Sequence, residues 1–232
     1  MKDKYFRFIL VTLRKDKVII MKKKSVFIFF VLISFSLAGQ SAKELYDKGY
    51  SLFNMRDYNG AIGYFTKAIE ADPSIEQAWE SRGISKFNLN DFSGALADLN
   101  KAMDLSEDKP SPSLCSSRGL VKISLKDYQG AVEDINLAFK QSGGREIRFL
   151  VIRASAKYFL GDYAGSISDC DAVINSETAP KGILPETYFW RGLAKVFSGG
   201  LADEGCQDLK KSAEAGYANA NAAIKNYCLQ AK

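Results

Sequence analysis

Arg56-Asp57-Tyr58-Asn59-Gly60-Ala61 is a short turn that the chain writes four times. It returns as Asn90-Asp91-Phe92-Ser93-Gly94-Ala95, as Lys126-Asp127-Tyr128-Gln129-Gly130-Ala131 and as Gly161-Asp162-Tyr163-Ala164-Gly165-Ser166. Each copy holds an Asp able to cap a helix by accepting a bond from its first free amides, then an aromatic, then small residues where two helices must approach. The Asp predicts the start of the second helix of a pair. Twelve residues before each closing Ala or Ser stands another small residue, Gly49, Gly83, Gly119 or Ala154, inside a helix-favouring stretch. Gly in a helix costs about 1 kcal/mol against Ala, so its return at a fixed offset calls for a packing reason. Close contact between the paired helices supplies it, with Phe65, Leu99, Ile135 and Cys170 filling the space beside the small residues. Gly49, Ala61, Phe65 and Ala68 recur 34 residues later as Gly83, Ala95, Leu99 and Ala102, a period that reads as a stacked helix pair.

These residues resemble the tetratricopeptide repeat, whose 34-residue signature combines a Trp or Leu, a Gly, an Ala, an aromatic, a second Ala and a closing Pro. The first copy reads Leu45, Gly49, Tyr58, Ala61, Phe65, Ala68, Pro73, and the second Trp79, Gly83, Phe92, Ala95, Leu99, Ala102, with its Pro displaced to Pro110. In the third, Cys115, Gly119, Tyr128, Ala131, Ile135 and Ala138 correspond, and Gly143-Gly144 replaces the Pro. The fourth departs further, with Leu150, Ala154, Tyr163, Ser166, Cys170 and Val173. A degenerate fifth runs through Tyr188, Gly192, Gly205, Leu209 and Ser212, with one residue inserted in its turn. The resemblance spans residues 42–215 and implies an all-α, right-handed solenoid of antiparallel helix pairs, about five repeats in all. Residues 217–232 are left as a C-terminal capping helix, as repeat arrays require.

Internal comparison adds a set of charges that the signature does not demand. Arg82, Arg118 and Arg153 each precede the small residue of their first helix, and Asp98, Asp134 and Asp169 follow sixteen residues later. Arg191 is followed by Asp208 at seventeen, across the inserted residue, whereas the first copy has Lys48 and Tyr64 at these positions. Joint presence and joint absence predict ion pairs bridging the two helices of each hairpin. The competing reading is an arginine row for an acidic ligand, and a carboxylate inside the same repeat would already occupy each guanidinium.

Residues 1–39 read as an export leader. Lys22-Lys23-Lys24 precedes an apolar run from Val26 to Ala38, and Ser36-Leu37-Ala38 places small residues where a signal peptidase cuts, with Met21 as the expected start. The run is short of the roughly 20 residues that cross a bilayer. Of the 32 basic and 27 acidic residues, nine and two fall in residues 1–39, which leaves 23 and 25 beyond and a domain, residues 40–232, that is close to neutral. That balance argues against a nucleic-acid face. The expected location is exported, periplasmic or secreted, or anchored in the inner membrane if the leader is retained. All four cysteines lie in the exported part, where disulfides form. Cys115 and Cys170 occupy core positions of their copies, while Cys206 and Cys228 stand outside the pattern, placed to staple the capping helix by a bond contributing about 3 kcal/mol.

The chain has no His, which removes the commonest general base and every imidazole metal site. No Cys-x-x-Cys and no phosphate-cradling Gly-Lys loop occurs. We therefore expect no catalytic residues, no cofactor and no metal. The resemblance places the first helix of each pair on a concave face, and helical spacing there selects Tyr46, Tyr50, Phe53, Asn54, Glu80, Ile84, Phe87, Asn88, Ser116, Leu120, Arg148, Val151, Ser155, Tyr158 and Phe189. Aromatics give contact area at small entropic cost and amides can bond a peptide backbone, so the expected partner is a protein or peptide segment. Phe53 and Phe87 also fit contacts between neighbouring repeats. Tyr46 and Tyr50 stand where a chaperone-tail clamp would need Lys and Asn, which disfavours that ligand. The expected function is a non-catalytic interaction scaffold of the cell envelope. The alternatives are a membrane-tethered assembly factor with an uncut leader, or a glycan-binding accessory whose Tyr46, Tyr50 and Tyr158 stack on sugars.

Overall fold

A computed structural model describes residues 41–107 and 109–229. The leader expected over residues 1–39 lies outside the described residues. Helix α1 covers 41–54, followed by α2 (Tyr58–Ala71), α3 (Glu76–Asn88), α4 (Phe92–Leu105), α5 (Pro112–Ser124), α6 (Tyr128–Gln141), α7 (Arg148–Leu160) and α8 (Tyr163–Ile174). A single 3-10 turn, Lys181–Ile183, then leads into α9 (Leu184–Phe197), α10 (Ala202–Glu214) and α11 (Ala220–Tyr227). No strand occurs among the described residues, and the fold is all-α, built of consecutive helix pairs. Two compact units divide it, the first ending at Ala78 and the second beginning at Trp79.

The repeated turn works through three local devices. The residue before each Asp is left-handed, with φ of 62° at Arg56, 64° at Asn90, 65° at Lys126 and 81° at Gly161, which reverses the chain after the first helix. Asp57, Asp91, Asp127 and Asp162 then cap α2, α4, α6 and α8, each accepting a bond of 2.9–3.0 Å from the amide three residues on. That amide belongs in every case to Gly60, Gly94, Gly130 or Gly165, where a Cβ would collide with the capping carboxylate. These four glycines thus serve the cap, a more local role than the helix approach the sequence suggests.

In the first unit, Phe65 of α2 lies over Gly49 of α1, where an added Cβ would sit 2.7 Å from the ring. Ala61, Phe65, Ala68 and Ala42 are fully buried around this contact. The second unit repeats the arrangement with Leu99 over Gly83 and Ile135 over Gly119, at 2.9 and 2.7 Å. Ala154 takes the place of Gly in the fourth pair, and its carbonyl accepts a 2.9 Å bond from the Ser166 hydroxyl. In the fifth pair both crossing residues are glycines, and a Cβ on Gly192 would stand 2.8 Å from the Gly205 carbonyl oxygen. Cys115 and Cys170 are fully buried within their pairs.

The terminal helix starts at Ala220, later than residue 217. Gly216 adopts φ 85° and the Tyr217 amide bonds back to the Ser212 carbonyl, so α10 closes with a left-handed turn before α11 can begin. Ala220 and Ala223 of α11 pack on Phe189, Leu193 and Leu209. Cys206 of α10 is bonded to Cys228 just beyond α11.

Candidate functional site

Four charge clusters come first, because they decide what is left to meet a partner. Arg82, Arg118, Arg153 and Arg191 each grip the carboxylate of Asp98, Asp134, Asp169 and Asp208 with two bonds of 2.6–2.8 Å. A Lys one turn on completes each cluster: Lys86, Lys122, Lys157 and Lys195 reach the same carboxylates at 2.8–2.9 Å. Sequence reasoning missed these lysines, although each stands four residues after its Arg and the first copy has Leu52 in that place. A further guanidinium nitrogen reaches the preceding pair: Arg118 bonds Asn100 at 3.2 Å, Arg153 bonds Asn136 at 2.7 Å and Arg191 bonds Asp171 at 2.7 Å. The clusters therefore stitch consecutive pairs together within the second unit.

Their titration follows the geometry. The bond to Asp134, working against burial, holds Arg118 protonated beyond its ordinary range, and Asp169 does the same for Arg153. Burial would raise Asp208, but the bonds from Arg191 and Lys195 outweigh it and hold its carboxyl below the usual value. An acidic ligand would have to displace a built-in carboxylate from each of these arginines.

On the first helices, the first unit presents an aromatic ladder. Tyr46 packs on Phe65 and stacks with Tyr50 at 6.0 Å, and Tyr50 stacks with Phe53 at 6.1 Å, leaving Tyr50 and Asn54 exposed. Phe53 also meets Tyr58, a contact inside its own hairpin. In the second unit, Ile84, Phe87 and Leu120 are partly buried and line a shallow cleft of about 30 Å³ with Leu99, Ser117 and Val121. Asn88 is exposed, yet its amide donates to the Ile84 carbonyl of its own helix. Glu80 accepts a bond from Ser113 of α5, and exposed Arg148 pairs with Glu146 at 3.2 Å.

Three residues expected on this face are inside instead. Ser155 is 7% exposed and its hydroxyl bonds the Ile152 carbonyl; Val151 is buried against Leu150 and Val173. Phe189 is likewise 7% exposed, because α11 and Tyr217 close over it. Helical spacing could not reveal this, since the covering residues come from a helix that has no counterpart in the other pairs.

Tyr158 has a different setting. It sits among Phe159, Tyr163, Trp190 and Phe197 at ring distances of 5.3–5.9 Å. Phe159 stacks on Tyr128 at 5.0 Å, Phe197 meets Tyr227 at 5.1 Å, and Trp190 donates its ring N–H to Glu186. Seven rings from five helices interlock, and Phe159, Phe197 and Tyr227 remain 46%, 41% and 42% exposed. Phe159 and Phe197 were legible as unusual, since the first three copies carry Asn54, Asn88 and Ser124 at their position. Among the described residues no group of three or more acids or cysteines could hold a metal ion, and no helix is long and apolar enough to cross a membrane.

A family model described as Tetratricopeptide repeat matches residues 42–75, the first of the pairs. Residues 42–75 carry a tetratricopeptide repeat. Solved structures extend the likeness over the rest of the described chain. MamA is 21% identical over 79% of this chain and 96% of its own, with a TM-score of 0.64. YrrB, a tetratricopeptide repeat protein with an unusual peptide-binding site, is 16% identical over 82% of this chain and 97% of its own, with a TM-score of 0.65. The first tetratricopeptide domain of Spaghetti (RPAP3), solved with an HSP90 peptide bound, is 24% identical over 53% of this chain and 94% of its own, with a TM-score of 0.50. At these identities the likeness establishes the tetratricopeptide fold. Comparison with the curated proteins finds no match.

Proposed function

We propose that the protein is a non-catalytic interaction scaffold that binds a peptide segment of a partner protein through side chains of its first helices. The observation that carries this reading is the internal neutralisation of the second unit. Every arginine of the repeated set is held by its own carboxylate, and the first helices of this unit keep Phe159, Leu160 and Phe197 open beside Asn88 and Arg148. Surfaces of that kind recognise peptides by shape and ring contact rather than by charge. The peptide-binding site of YrrB and the HSP90 peptide bound to the RPAP3 domain make such a role available to the fold.

Export is the companion proposal. The Cys206–Cys228 bond favours an oxidising compartment, and the apolar run ending at Ala38 favours a cleaved leader. The mass of the protein recovered from an envelope fraction tests it; a species retaining residues 21–39 would mark the tethered form instead. Panning a random peptide library against the protein tests the scaffold reading. Enriched sequences whose binding falls in Tyr50→Ala or in Leu120→Arg, with helicity unchanged, are expected. Failure to enrich any peptide would refute it.

A further inference from the structure

The ring cluster around Tyr158 offers a particular chemistry. Its open rings form steps between stacked faces, since Tyr158 meets Phe159 at 68° and Phe197 meets Tyr227 at 73°, while Phe159 stacks on Tyr128 at 13° and Phe197 on Tyr163 at 28°. The hydroxyls of Tyr158, Tyr163 and Tyr227 have no hydrogen-bond partner among the described residues. Burial, followed by the neighbouring Tyr227 and Tyr163, pushes the Tyr158 hydroxyl up to about 12, so it stays neutral and able to donate. Charge is withheld. Lys157 and Lys195, which neighbour the rings in sequence, are held by Asp169 and Asp208, and Asp162 is occupied as the cap of α8.

A ligand matching this surface must bring apolar ridges, open acceptors and little negative charge. An apolar helix fails the second requirement, because its carbonyls are bonded within its own ladder. An acidic tail finds Lys157 and Lys195 already held by Asp169 and Asp208, with the Glu186 carboxylate at the edge of Trp190. A polyproline II segment meets all three requirements. It has no internal hydrogen bonds, so its carbonyls are open, its prolines carry no N–H that needs an acceptor, and its rings pack into furrows between aromatic side chains. We propose that the ring cluster of the second unit is a docking site for a proline-rich segment in the polyproline II conformation. The proposal rests on the scaffold reading and names its ligand class.

Titration of the full chain with a nine-residue all-proline peptide, followed by calorimetry, tests it beside a Gly-Ser peptide of equal length and a chito-oligosaccharide. Binding of the proline peptide alone is expected. Phe159→Ala should weaken it about tenfold by removing a central ring. Tyr227→Phe, which keeps the ring and deletes one hydroxyl, should weaken it about three- to fivefold. Glu70→Ala, at an exposed acid of α2 in the first unit, should leave it unchanged. Phe159 and Tyr227 are exposed enough for both variants to fold, and circular dichroism checks this. Equal binding of the Gly-Ser peptide, binding of the saccharide in its place, or full proline-peptide binding by a folded Phe159→Ala protein would each overturn the proposal. Library peptides enriched without proline would overturn it while leaving the scaffold reading standing, whereas a library that yields no binder sinks both.

Discussion

Removing the Asp134 carboxylate is the sharpest test of how the second unit is held together. Asp134 is 4% exposed and receives three charged bonds, from Arg118 Nε at 2.8 Å, Arg118 Nη2 at 2.6 Å and Lys122 Nζ at 2.9 Å. Deleting one partner of a buried ion pair costs about 3–5 kcal/mol, because the other charge is stranded. Here the stranded cations keep side-chain exposures of 18% and 16%, and Arg118 keeps its bond to Asn100, so hydration recovers part of that loss. Asp134→Ala should therefore cost about 2–3 kcal/mol. Urea unfolding followed by far-ultraviolet circular dichroism measures it, fitted with nearest-neighbour repeat energies because repeat arrays depart from two-state behaviour. Glu70→Ala, at an exposed acid of α2, is the control and should shift stability by no more than about 0.5 kcal/mol. A combined Asp134→Leu, Arg118→Met and Lys122→Met replacement should cost less than Asp134→Ala alone, since it strands no charge. Equal losses in Asp134→Ala and Glu70→Ala, or a triple replacement worse than the single one, would refute the claim that these clusters bind the pairs together.

Three further outcomes follow from the same geometry. Gly192→Ala drives a Cβ to 2.8 Å from the Gly205 carbonyl oxygen, a backbone atom that cannot swing aside, and should cost about 2–3 kcal/mol in chemical unfolding. Gly63→Ala, where nothing lies within 4 Å, should instead stabilise by about 0.5–1 kcal/mol. Reducing the Cys206–Cys228 bond, which closes a separation of 22 residues, should lower stability by about 3 kcal/mol and raise hydrogen exchange first in α11. Asp208 carries a pKa held below its unfolded value, so its contribution is fully present above the ordinary carboxylate pKa and is lost as pH falls through the folded value; melting temperature measured on acidification below about pH 4 should drop less in Asp208→Asn than in the parent.

Much of the architecture is written locally. The left-handed residue, the Asp cap and the Gly three residues beyond it lie within one turn, and their interactions depend on no distant part of the chain. The period of 34 and the Arg-to-Asp spacing are equally local, since both partners of each ion pair belong to one hairpin. Even the overlooked lysines obey this rule, lying one helical turn from their arginines.

The candidate site obeys a different rule. Which flank of a first helix meets solvent depends on what the next pair and the terminal helix place against it, and that is a matter of packing between segments far apart in sequence. Phe189 has the spacing of a surface residue and is enclosed because α11 folds back over α9. Tyr158 has the spacing of an isolated contact and becomes the centre of a cluster because residues from Tyr128 to Tyr227 converge on it. The sequence by itself determined the helix pairs, their caps and their internal charge neutralisation, whose partners are joined by short stretches of chain. Only the tertiary structure decided which aromatic rings are buried, which remain open and which assemble into one surface, because that outcome is a sum of contacts among helices whose order the pattern shows and whose side-chain faces it does not.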